Sequence, residues 1–361
     1  MEPTQNENIY KSFTLKLLKW NIEKNTRQMP WKGIKDPYKI WLSEIILQQT
    51  RVEQGLRYYN NFINSYPTIH HLAKASDKKI FKSWEGLGYY NRCRNLISTS
   101  RFISKERDGK FPESLAELKE LKGIGPYTAA AIASFAFNLP YAVVDGNVSR
   151  VLSRVFGITK SIDSISGKKN INNIADQLLH KKQPGIYNQA IMDLGAVVCK
   201  PSGPLCKSCP FAKICFAHNN NRASELPVKS KKIKIKNRWF YFLVMEYKNN
   251  VVIRQRTDKD IWRELFEYPG IETDFEQSPD YILQHAEKKG WIMNKKYQVT
   301  DISTVFKQRL THQMIQARFL QIQLKQFPVH SSTFIQVNKN FLNNFSFPGI
   351  INNYREKLKL G

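Results

Sequence analysis

Residues 121–137 read LKGIGPYTAAAIASFAF, which places two glycines directly before an alanine-rich helical segment. Gly123 and Gly125 allow a sharp backbone turn, because glycine lacks the Cβ that restricts other residues. The unpaired amides at the start of the following helix can bind a phosphate. The stretch predicts a helix-hairpin-helix motif, with an ordinary turn before a helix as the alternative.

The chain carries a large excess of positive charge, with 56 Lys and Arg against 30 Asp and Glu and a formal net charge of +26. Such an excess favours a polyanionic partner, and nucleic acid is the leading candidate. A general enrichment in lysine is the alternative explanation for part of this charge. No stretch approaches the ~20 apolar residues of a membrane span. The N-terminal MEPTQNEN also lacks the basic and apolar regions of a signal peptide, so we expect a cytoplasmic protein that does not enter a membrane.

The spacing of apolar residues changes along the chain from a helical to a strand pattern. Helices are predicted at about 9–24, 38–54, 55–65, 77–84, 91–106, 114–121, 127–138, 147–156, 168–182 and 185–197. Beyond a basic linker at 223–237, β-branched and aromatic runs predict strands, as at 239–245, 251–254 and 319–324. We therefore expect a helical region followed by a separate α+β domain.

The predicted helix at 38–54 is apolar nearly all round, yet Glu44, Gln48 and Arg51 fall on one stripe at i, i+4 and i+7. One interpretation is a Glu44 carboxylate that is salt-bridged within its own helix. The other is a pocket wall in which burial raises the pKa of the carboxyl and makes it a general acid. The residues alone leave both open.

Four of the five cysteines lie in CKPSGPLCKSCPFAKIC at 199–215. In a reducing compartment, clustered thiols indicate a metal site rather than disulfides. A single CxxC between two outlying cysteines favours an iron-sulfur cluster over zinc, which usually takes two short pairs. Cys199, Cys206, Cys209 and Cys215 are the candidate ligands, and Cys93 is expected to be a buried small residue.

These motifs resemble a known family. The cysteine spacing resembles the [4Fe-4S] cluster loop of the endonuclease III superfamily of DNA glycosylases, and WLSEIILQQT at 41–50 resembles adenine DNA glycosylases of the MutY type. The resemblance implies that Glu44 protonates the departing adenine and that Gln49 is wedged into the base stack. Trp31 matches the tryptophan of a Pro-Trp-Arg motif that contacts DNA. Lys32 replaces its arginine and cannot form the same bidentate contact.

The stretch AVVDGNVSRVLSRVFG at 142–157 supplies a second carboxylate. Asp145 precedes a helix, so it could be only an N-cap. The resemblance instead places Asp145 and Asn147 at the catalytic centre, where an ionised carboxylate stabilises an oxocarbenium-like sugar. Whether it does so by charge or through a covalent adduct stays open. Tyr127 stands where strand-cleaving members have a lysine, so the resemblance implies hydrolysis without a lyase step.

Further resemblances concern the reading of the DNA. In GLGYY at 86–90, Leu87 and Tyr89 match residues that touch the flipped or opposing nucleotide, and the hairpin with Gly123 and Gly125 is expected to bind the DNA backbone.

The C-terminal region resembles the Nudix-like domain with which this family recognises 8-oxoguanine. Gly270 and Glu276 fit the start of the Nudix motif, but its Arg-Glu and acidic pair are lost, so binding without hydrolysis is expected. The replacements are Gln284, His285, Lys288 and Lys289. Leu310, Thr311 and His312 match a Phe-Ser-His loop with which the family probes 8-oxoguanine, so the resemblance implies that the aromatic residue is lost while the hydroxyl and the imidazole remain.

The predicted architecture is an all-α helix-hairpin-helix glycosylase core with an iron-sulfur cluster loop, plus a C-terminal α+β Nudix-like domain. Its regions are a helical part at 1–222, the basic linker at 223–237 and the Nudix-like domain at 238–361. Within the first, a six-helix barrel spans about 27–135 and a cluster domain about 1–26 plus 136–222.

The expected function is hydrolysis of adenine mispaired with 8-oxoguanine or guanine in double-stranded DNA, by a monomer associated with a bacterial nucleoid. Two alternatives remain. One is a glycosylase for thymine or oxidised pyrimidines, and the other is a catalytically silent lesion-binding protein.

Overall fold

The computed structural model describes residues 5–230, 235–293, 296–326 and 333–360. They form two compact units. The first comprises the described residues of Met1–Lys74 and Arg94–Lys231, and the second those of Ala75–Cys93 and Lys232–Gly361. Of the predicted basic linker, 231–234 lie outside the described residues.

Described residues up to 230 form helices and loops, and most predicted helices are confirmed to within a few residues. The helices are α1 (Gln5–Glu23), α2 (Pro37–Leu47), α3 (Val52–Ser65), α4 (Ile69–Lys74), α5 (Asp77–Trp84), α6 (Tyr90–Glu106), α7 (Leu115–Glu120), α8 (Pro126–Phe135), α9 (Gly146–Phe156), α10 (Ile165–Leu178), α11 (Pro184–Val197) and α12 (Phe216–Asn219), with 3-10 turns at Cys206–Ser208 and Ala212–Ile214. Among the described helices, none has both the length and the apolar character needed to cross a bilayer.

The prediction of a single helix at 38–54 is wrong, because the helix is interrupted between the end of α2 and the start of α3. The side chain of Asp36 caps α2 by accepting from the amides of Tyr38 and Lys39, and Gln48 ends it. Gln49 then adopts a left-handed backbone with φ +55°, which α-helical geometry excludes. Arg51 is the N-cap of α3 and therefore does not continue the stripe that begins at Glu44.

The helix-hairpin-helix prediction is confirmed by the turn between α7 and α8. Gly123 has φ +81°, and a Cβ there would lie 2.6 Å from the Cβ of Asn95. Gly125 is the N-cap of α8, and a Cβ there would meet no atom within 4 Å. The first glycine is therefore required by the backbone and by packing, while the second leaves the amides of the helix start open.

The core of the first unit joins the helices to the cysteine loop. Buried apolar residues of α1, α9, α10 and α11 form one cluster, and Phe211 of the cysteine loop belongs to it. The Phe13 and Phe211 rings stack with centroids 4.1 Å apart at an interplanar angle of 4°. This packing fixes the loop against α1.

The described part of the second unit contains a mixed sheet of eight strands. The strands are β1 (Lys236–Tyr247), β2 (Asn250–Gln255), β3 (Phe266–Glu267), β4 (Gly270–Thr273), β5 (Tyr297–Ile302), β6 (Phe306–Arg309), β7 (Gln313–Leu324) and β8 (Phe334–Asn338), and the helices are α13 (Pro279–Lys288) and α14 (Gly349–Leu360). The principal order is β3-β2-β1-β7-β5. β1 and β7 are parallel, from the pair Lys236 and Gln313 to the pair Glu246 and Gln323, and the other pairings are antiparallel.

Residues 238–245 of β1 are buried without alternation, as expected for a strand that is covered on both faces. Tyr241 and Leu243 pack in one cluster with Ile282 and Ala286 of α13. On alternate positions, Phe240 and Phe242 stack, and Phe242 continues through Phe319 to Tyr354 of α14, whose ring lies 3.8 Å from that of Phe319. The C-terminal α+β prediction is therefore confirmed at the level of a helix-covered sheet.

The segment Ala75–Cys93 is the main difference from the predicted organisation. It belongs by sequence to the expected helical region at 1–222, yet it groups with the C-terminal strands. The physical reason is a set of polar contacts between α5 and the residues around α14, described below. Sequence order carries no signal for such contacts.

Candidate active site

A cleft of about 1080 Å³ in the first unit gathers six of the predicted site residues, among them all four predicted catalytic residues. Its lining includes Trp31, Glu44, Gln49, Tyr127, Asp145 and Asn147. They come from the loop before α2, from α2 and its end, from the first turn of α8, and from the N-terminus of α9. Residues as distant in the chain as Trp31 and Asp145 thus line one cavity. The cavity is large enough for a nucleotide.

Glu44 is the buried carboxyl group of this cleft, with only 7% of its surface exposed. Burial raises its pKa from the ordinary 4.5 to about 7, and the negative charge of Asp145 adds to the increase. A hydrogen bond from Tyr127 acts in the opposite direction. Within the described residues of α2, no basic side chain pairs with Glu44, so the salt bridge considered from the sequence is not formed there. A large share of Glu44 is therefore protonated near neutral pH and can donate a proton.

Asp145 is the N-cap of α9 and also lines the cleft, so the two interpretations of this residue are compatible. Its carboxylate accepts hydrogen bonds from the Val148 amide at 2.7 Å and from Nδ2 of Asn147 at 2.8 Å. Burial raises the pKa of Asp145, and these hydrogen bonds oppose the increase. The donors favour the ionised form, which suits a carboxylate that faces developing positive charge.

Tyr127 occupies the first turn of α8, two residues after Gly125. Burial, followed by the charges of Glu44 and Asp145, raises the pKa of its hydroxyl well above 10. The phenol is therefore neutral in the cleft that both carboxyl groups line. It can donate a hydrogen bond but supplies no amine.

Arg150 connects this site to the cysteine loop. Its Nη2 donates to Oδ1 of Asn147 at 2.7 Å and to the Gly195 carbonyl at 2.8 Å, while its Nε donates to the Cys199 carbonyl at 2.8 Å. Because Asn147 in turn donates to Asp145, a continuous hydrogen-bonded path runs from the cysteine loop to the carboxylate. Arg150 was missed from the sequence, where it resembles any helical arginine.

A buried aspartate holds the loop before α2. Asp193 of α11 has a fully buried side chain, and it accepts from Nη1 of Arg27 at 2.8 Å and from Nζ of Lys32 at 3.0 Å. Lys32 also donates to the Arg27 carbonyl at 2.8 Å, and it is absent from the cleft lining. Arg27 and Gln189, both bonded to Asp193, do line the cleft. A lone acid in the apolar run AIMDLGAVV could have signalled this site.

The comparisons with known proteins agree with this geometry. Residues 42–181 match the HhH-GPD superfamily of base excision DNA repair proteins. The adenine DNA glycosylase of Buchnera aphidicola subsp. Baizongia pistaciae is 35% identical over 306 residues, which cover 82% of this chain and 82% of that protein. The chain belongs to the adenine DNA glycosylase family. It is a base excision repair enzyme that hydrolyses an N-glycosidic bond.

Other relatives and solved structures are also similar to this chain. The rat adenine DNA glycosylase is 40% identical over 60% of this chain and 44% of its own length. Among solved structures, a thermostable thymine-DNA glycosylase superposes with a TM-score of 0.54 at 28% identity, over 60% of this chain and 99% of that one. Endonuclease III in a trapped covalent intermediate with DNA superposes with a TM-score of 0.52 at 20% identity, over 60% of this chain and 98% of that one, and shows the shared fold.

The four clustered cysteines of this glycosylase line one small cavity beside α9. Arg154 donates from Nη1 to Sγ of Cys199 at 3.5 Å, and its carbonyl oxygen lies 3.4 Å from Sγ of Cys215. Burial, with a smaller contribution from the other three thiols, raises the pKa of Cys209 to about 12. Within the described residues, no three His, Cys, Asp or Glu side chains are arranged to hold a single metal ion. Cys93 is fully buried, as expected.

In the second unit of the glycosylase, two predicted DNA-reading residues meet. The Tyr89 hydroxyl hydrogen-bonds the Thr311 hydroxyl, although 222 positions separate them in the chain. Thr311 and His312 are exposed at the hairpin between β6 and β7, and Tyr89 is 44% exposed. Leu87, in contrast, is only 4% exposed, so little of it is available to a nucleotide in this state.

Proposed function

We propose that the enzyme removes adenine paired with 8-oxoguanine, or less efficiently with guanine, from double-stranded DNA, as a monomer. The observation that carries the chemical part is the buried Glu44, whose pKa is about 7 and which faces the same cleft as Asp145. Two carboxyl groups in different environments supply an acid and an anion at one pH. The relatives that are similar in sequence are named adenine DNA glycosylases, which supports adenine as the base removed. The thymine-DNA glycosylase structure is similar in fold.

In this mechanism, Glu44 donates a proton to the ring of the departing adenine. The bond between C1′ of the sugar and N9 of the base breaks, and its electron pair leaves with the base. The positive charge that develops on the sugar is stabilised by ionised Asp145, which Asn147 and the Val148 amide hold in place. Water then adds to C1′ and loses a proton, so the products are free adenine and an abasic site.

Tyr127 supports a reaction that stops at this abasic site. A lyase step needs an amine that attacks C1′ and forms a Schiff base. The Tyr127 phenol is neutral and hydrogen-bonds Glu44 instead. We infer a monofunctional enzyme in which Tyr127 orients Glu44 and lowers its pKa through a hydrogen bond.

Recognition of the base opposite adenine is assigned to the second unit. The target adenine is chemically normal, so the error is carried by the opposing base. Tyr89, Thr311 and His312 offer exposed hydroxyl and imidazole groups that can form hydrogen bonds to O8 and N7 of 8-oxoguanine, for roughly 1–3 kcal/mol per good contact. The Nudix-like assignment for 238–361 rests on the helix-covered mixed sheet and on α13.

Helix α13 carries the positions at which a Nudix hydrolase binds magnesium. In this chain Gln284 and Lys288 are exposed there and no acidic pair is present, which supports binding without hydrolysis.

We further propose that Cys199, Cys206, Cys209 and Cys215 hold a [4Fe-4S] cluster. All four line one cavity in the described part of the chain. The single CxxC between two outlying cysteines supports a cluster rather than zinc, which usually takes two short pairs. A bound cluster would cross-link the loop, and Arg150 and Arg154 would transmit that order to α9.

The test is a set of matched duplexes that differ only in one pair: A opposite 8-oxoguanine, A opposite guanine, T opposite guanine, and an oxidised pyrimidine. Strand cleavage is measured under single-turnover conditions, with and without hot alkali. Cleavage of the adenine strands alone, and only after alkali, is expected. Alkali-independent cleavage or excision of a pyrimidine would support the alternative glycosylases. Lesion binding without excision from any duplex would support the silent binding protein.

A further inference from the structure

The loop that presents Tyr89 has an unusual backbone. Gly86 has φ +87°, Gly88 has φ +78° and Tyr89 itself has φ +50°. A tyrosine in the left-handed region costs on the order of 1 kcal/mol or more, so surrounding contacts must hold it there. Among the hydrogen bonds that hold the loop, Nε1 of Trp84 donates to the Gly88 carbonyl at 3.0 Å, and the Gly86 amide donates to the Tyr90 hydroxyl at 3.2 Å.

The residue just before this loop is Glu85, and its carboxylate is anchored far along the chain. Oε1 of Glu85 accepts from the Phe347 amide at 2.7 Å and from Nδ2 of Asn352, in α14, at 2.9 Å. The side chain is only 14% exposed and also pairs with Lys82 through Oε2. Because an ionised acceptor in a mostly buried site makes strong hydrogen bonds, Glu85 fixes the start of the loop.

Contacts from α5 reinforce this anchor. Nζ of Lys82 donates to the Phe345 carbonyl at 3.3 Å, and Nζ of Lys78 lies 4.3 Å from the centroid of the Phe345 ring. The α5 helix and its C-cap therefore contact residues 345–352 in three ways: through the Glu85 carboxylate, the Lys82 ammonium and the cation–π contact of Lys78. At the other end of the loop, Tyr89 reaches Thr311.

We propose that Glu85 is a positioning residue for recognition of the opposing base: it fixes the Gly86–Tyr89 loop on residues 345–352, so that Tyr89 meets Thr311. This rests on the proposed role of Tyr89 and Thr311 as readers. No sequence motif assigns a role to Glu85. The inference makes the reader a composite of two distant chain segments held by one carboxylate.

The test uses the full chain and measures single-turnover excision of adenine opposite 8-oxoguanine and opposite guanine. The ratio of the two rates is the readout. Glu85→Ala is expected to lower this ratio roughly 3- to 10-fold, because only part of the free energy of one or two buried hydrogen bonds to a charged group is transmitted to the reading of the base. Glu85→Gln keeps an acceptor at Oε1 and should retain most of the ratio. Lys79→Met, at an exposed position on the same helix, is the matched control and should leave it unchanged.

A double-mutant cycle separates positioning from a general structural effect. If Glu85 acts through the reader, Glu85→Ala combined with Tyr89→Phe should discriminate no worse than Tyr89→Phe alone. Multiplicative losses, or an unchanged ratio in Glu85→Ala, would overturn the inference while leaving the reader intact. An unchanged ratio in Tyr89→Phe would overturn the proposed reader as well. If Glu85→Ala is insoluble, Asn352→Ala removes one of the same hydrogen bonds and is judged by the same cycle.

Discussion

The Tyr127 hydroxyl faces the carboxyl of Glu44 in the cleft and donates a hydrogen bond that lowers the pKa of that carboxyl. Burial is the larger effect, so the pKa nevertheless rises to about 7. The acid is thus tuned by two opposing contributions from the protein, and each can be changed separately by mutation. The first three predictions use this relationship.

Glu44→Gln should retain DNA affinity and lose excision by a factor on the order of 10²–10⁴, because the proton donor is removed while backbone contacts remain. Single-turnover excision and an equilibrium binding assay on the same duplex measure the two effects. Glu53→Gln, at an exposed position in the first turn of α3, is the charge-matched control. Near-normal excision by Glu44→Gln would remove Glu44 from the mechanism.

The pH dependence follows from the raised pKa of Glu44. Excision should decline as pH rises above about 7, because the acid must be protonated, and Tyr127→Phe should move that decline to higher pH. Folding is linked to the same proton. The folded state holds this proton more tightly than the unfolded state does. The contribution of Glu44 to the free energy of unfolding is therefore fully present below about pH 4.5, and roughly 3 kcal/mol of it is lost as pH rises to about 7. Thermal unfolding of Glu44→Gln should show a smaller decrease over this range; an identical decrease would contradict the assignment.

Tyr127→Lys should introduce strand cleavage without alkali. The new amine would replace a phenol in the cleft that Glu44 and Asp145 line, where it can attack C1′ of the sugar. Borohydride reduction should then trap a covalent complex of protein and DNA, while Tyr127→Phe gives none. Absence of a trapped complex in the lysine variant would show that position 127 does not face the sugar.

If the four cysteines of the loop bind an iron-sulfur cluster, the purified protein should be brown and should contain iron and inorganic sulfide. Cys206→Ser is expected to lose both and to unfold at lower temperature, because the loop then lacks one ligand. Cys93→Ala tests the specificity of this effect, since Cys93 is fully buried elsewhere and should keep the colour. Stoichiometric zinc in a colourless wild-type protein would reject the cluster.

Local signals in the sequence account for what was predicted correctly. The Asp36 cap and the glycine turn at 123–125 each act over a few residues, so α2 and the hairpin follow from them. The residues alone left Glu44 and Asp145 open, and the family resemblance placed both at one site; in the structure both line the cleft. Lys32 could not be placed in this way, because its position is set by a buried partner 161 residues away, Asp193. The same limit applies to Ala75–Cys93, because Lys82 and Glu85 contact Phe345 and Phe347, which lie more than 260 residues downstream.

The last prediction concerns discrimination between 8-oxoguanine and guanine. A fragment that ends after Ser230 keeps the cleft and the cysteines, together with contacts that fix the end of the first unit: Arg154 to the Leu226 carbonyl at 3.0 Å and the Ser230 amide to Asp163 at 3.1 Å. It lacks Thr311 and the residues that anchor Glu85. The fragment should therefore still excise adenine opposite guanine, more weakly than the full chain.

The preference of that fragment for 8-oxoguanine should shrink by at least ~10-fold, the value of one good hydrogen bond to the base. In the full chain, Thr311→Ala with His312→Ala should reproduce part of the loss, because these exposed side chains are the ones available to the opposing base. Rates on the two duplexes, measured for fragment, double variant and full chain, give the comparison. If the fragment discriminates as well as the full chain, the opposing base must be read by residues that the fragment retains, with Leu87 and Tyr89 as candidates, and Thr311 and His312 serve another purpose.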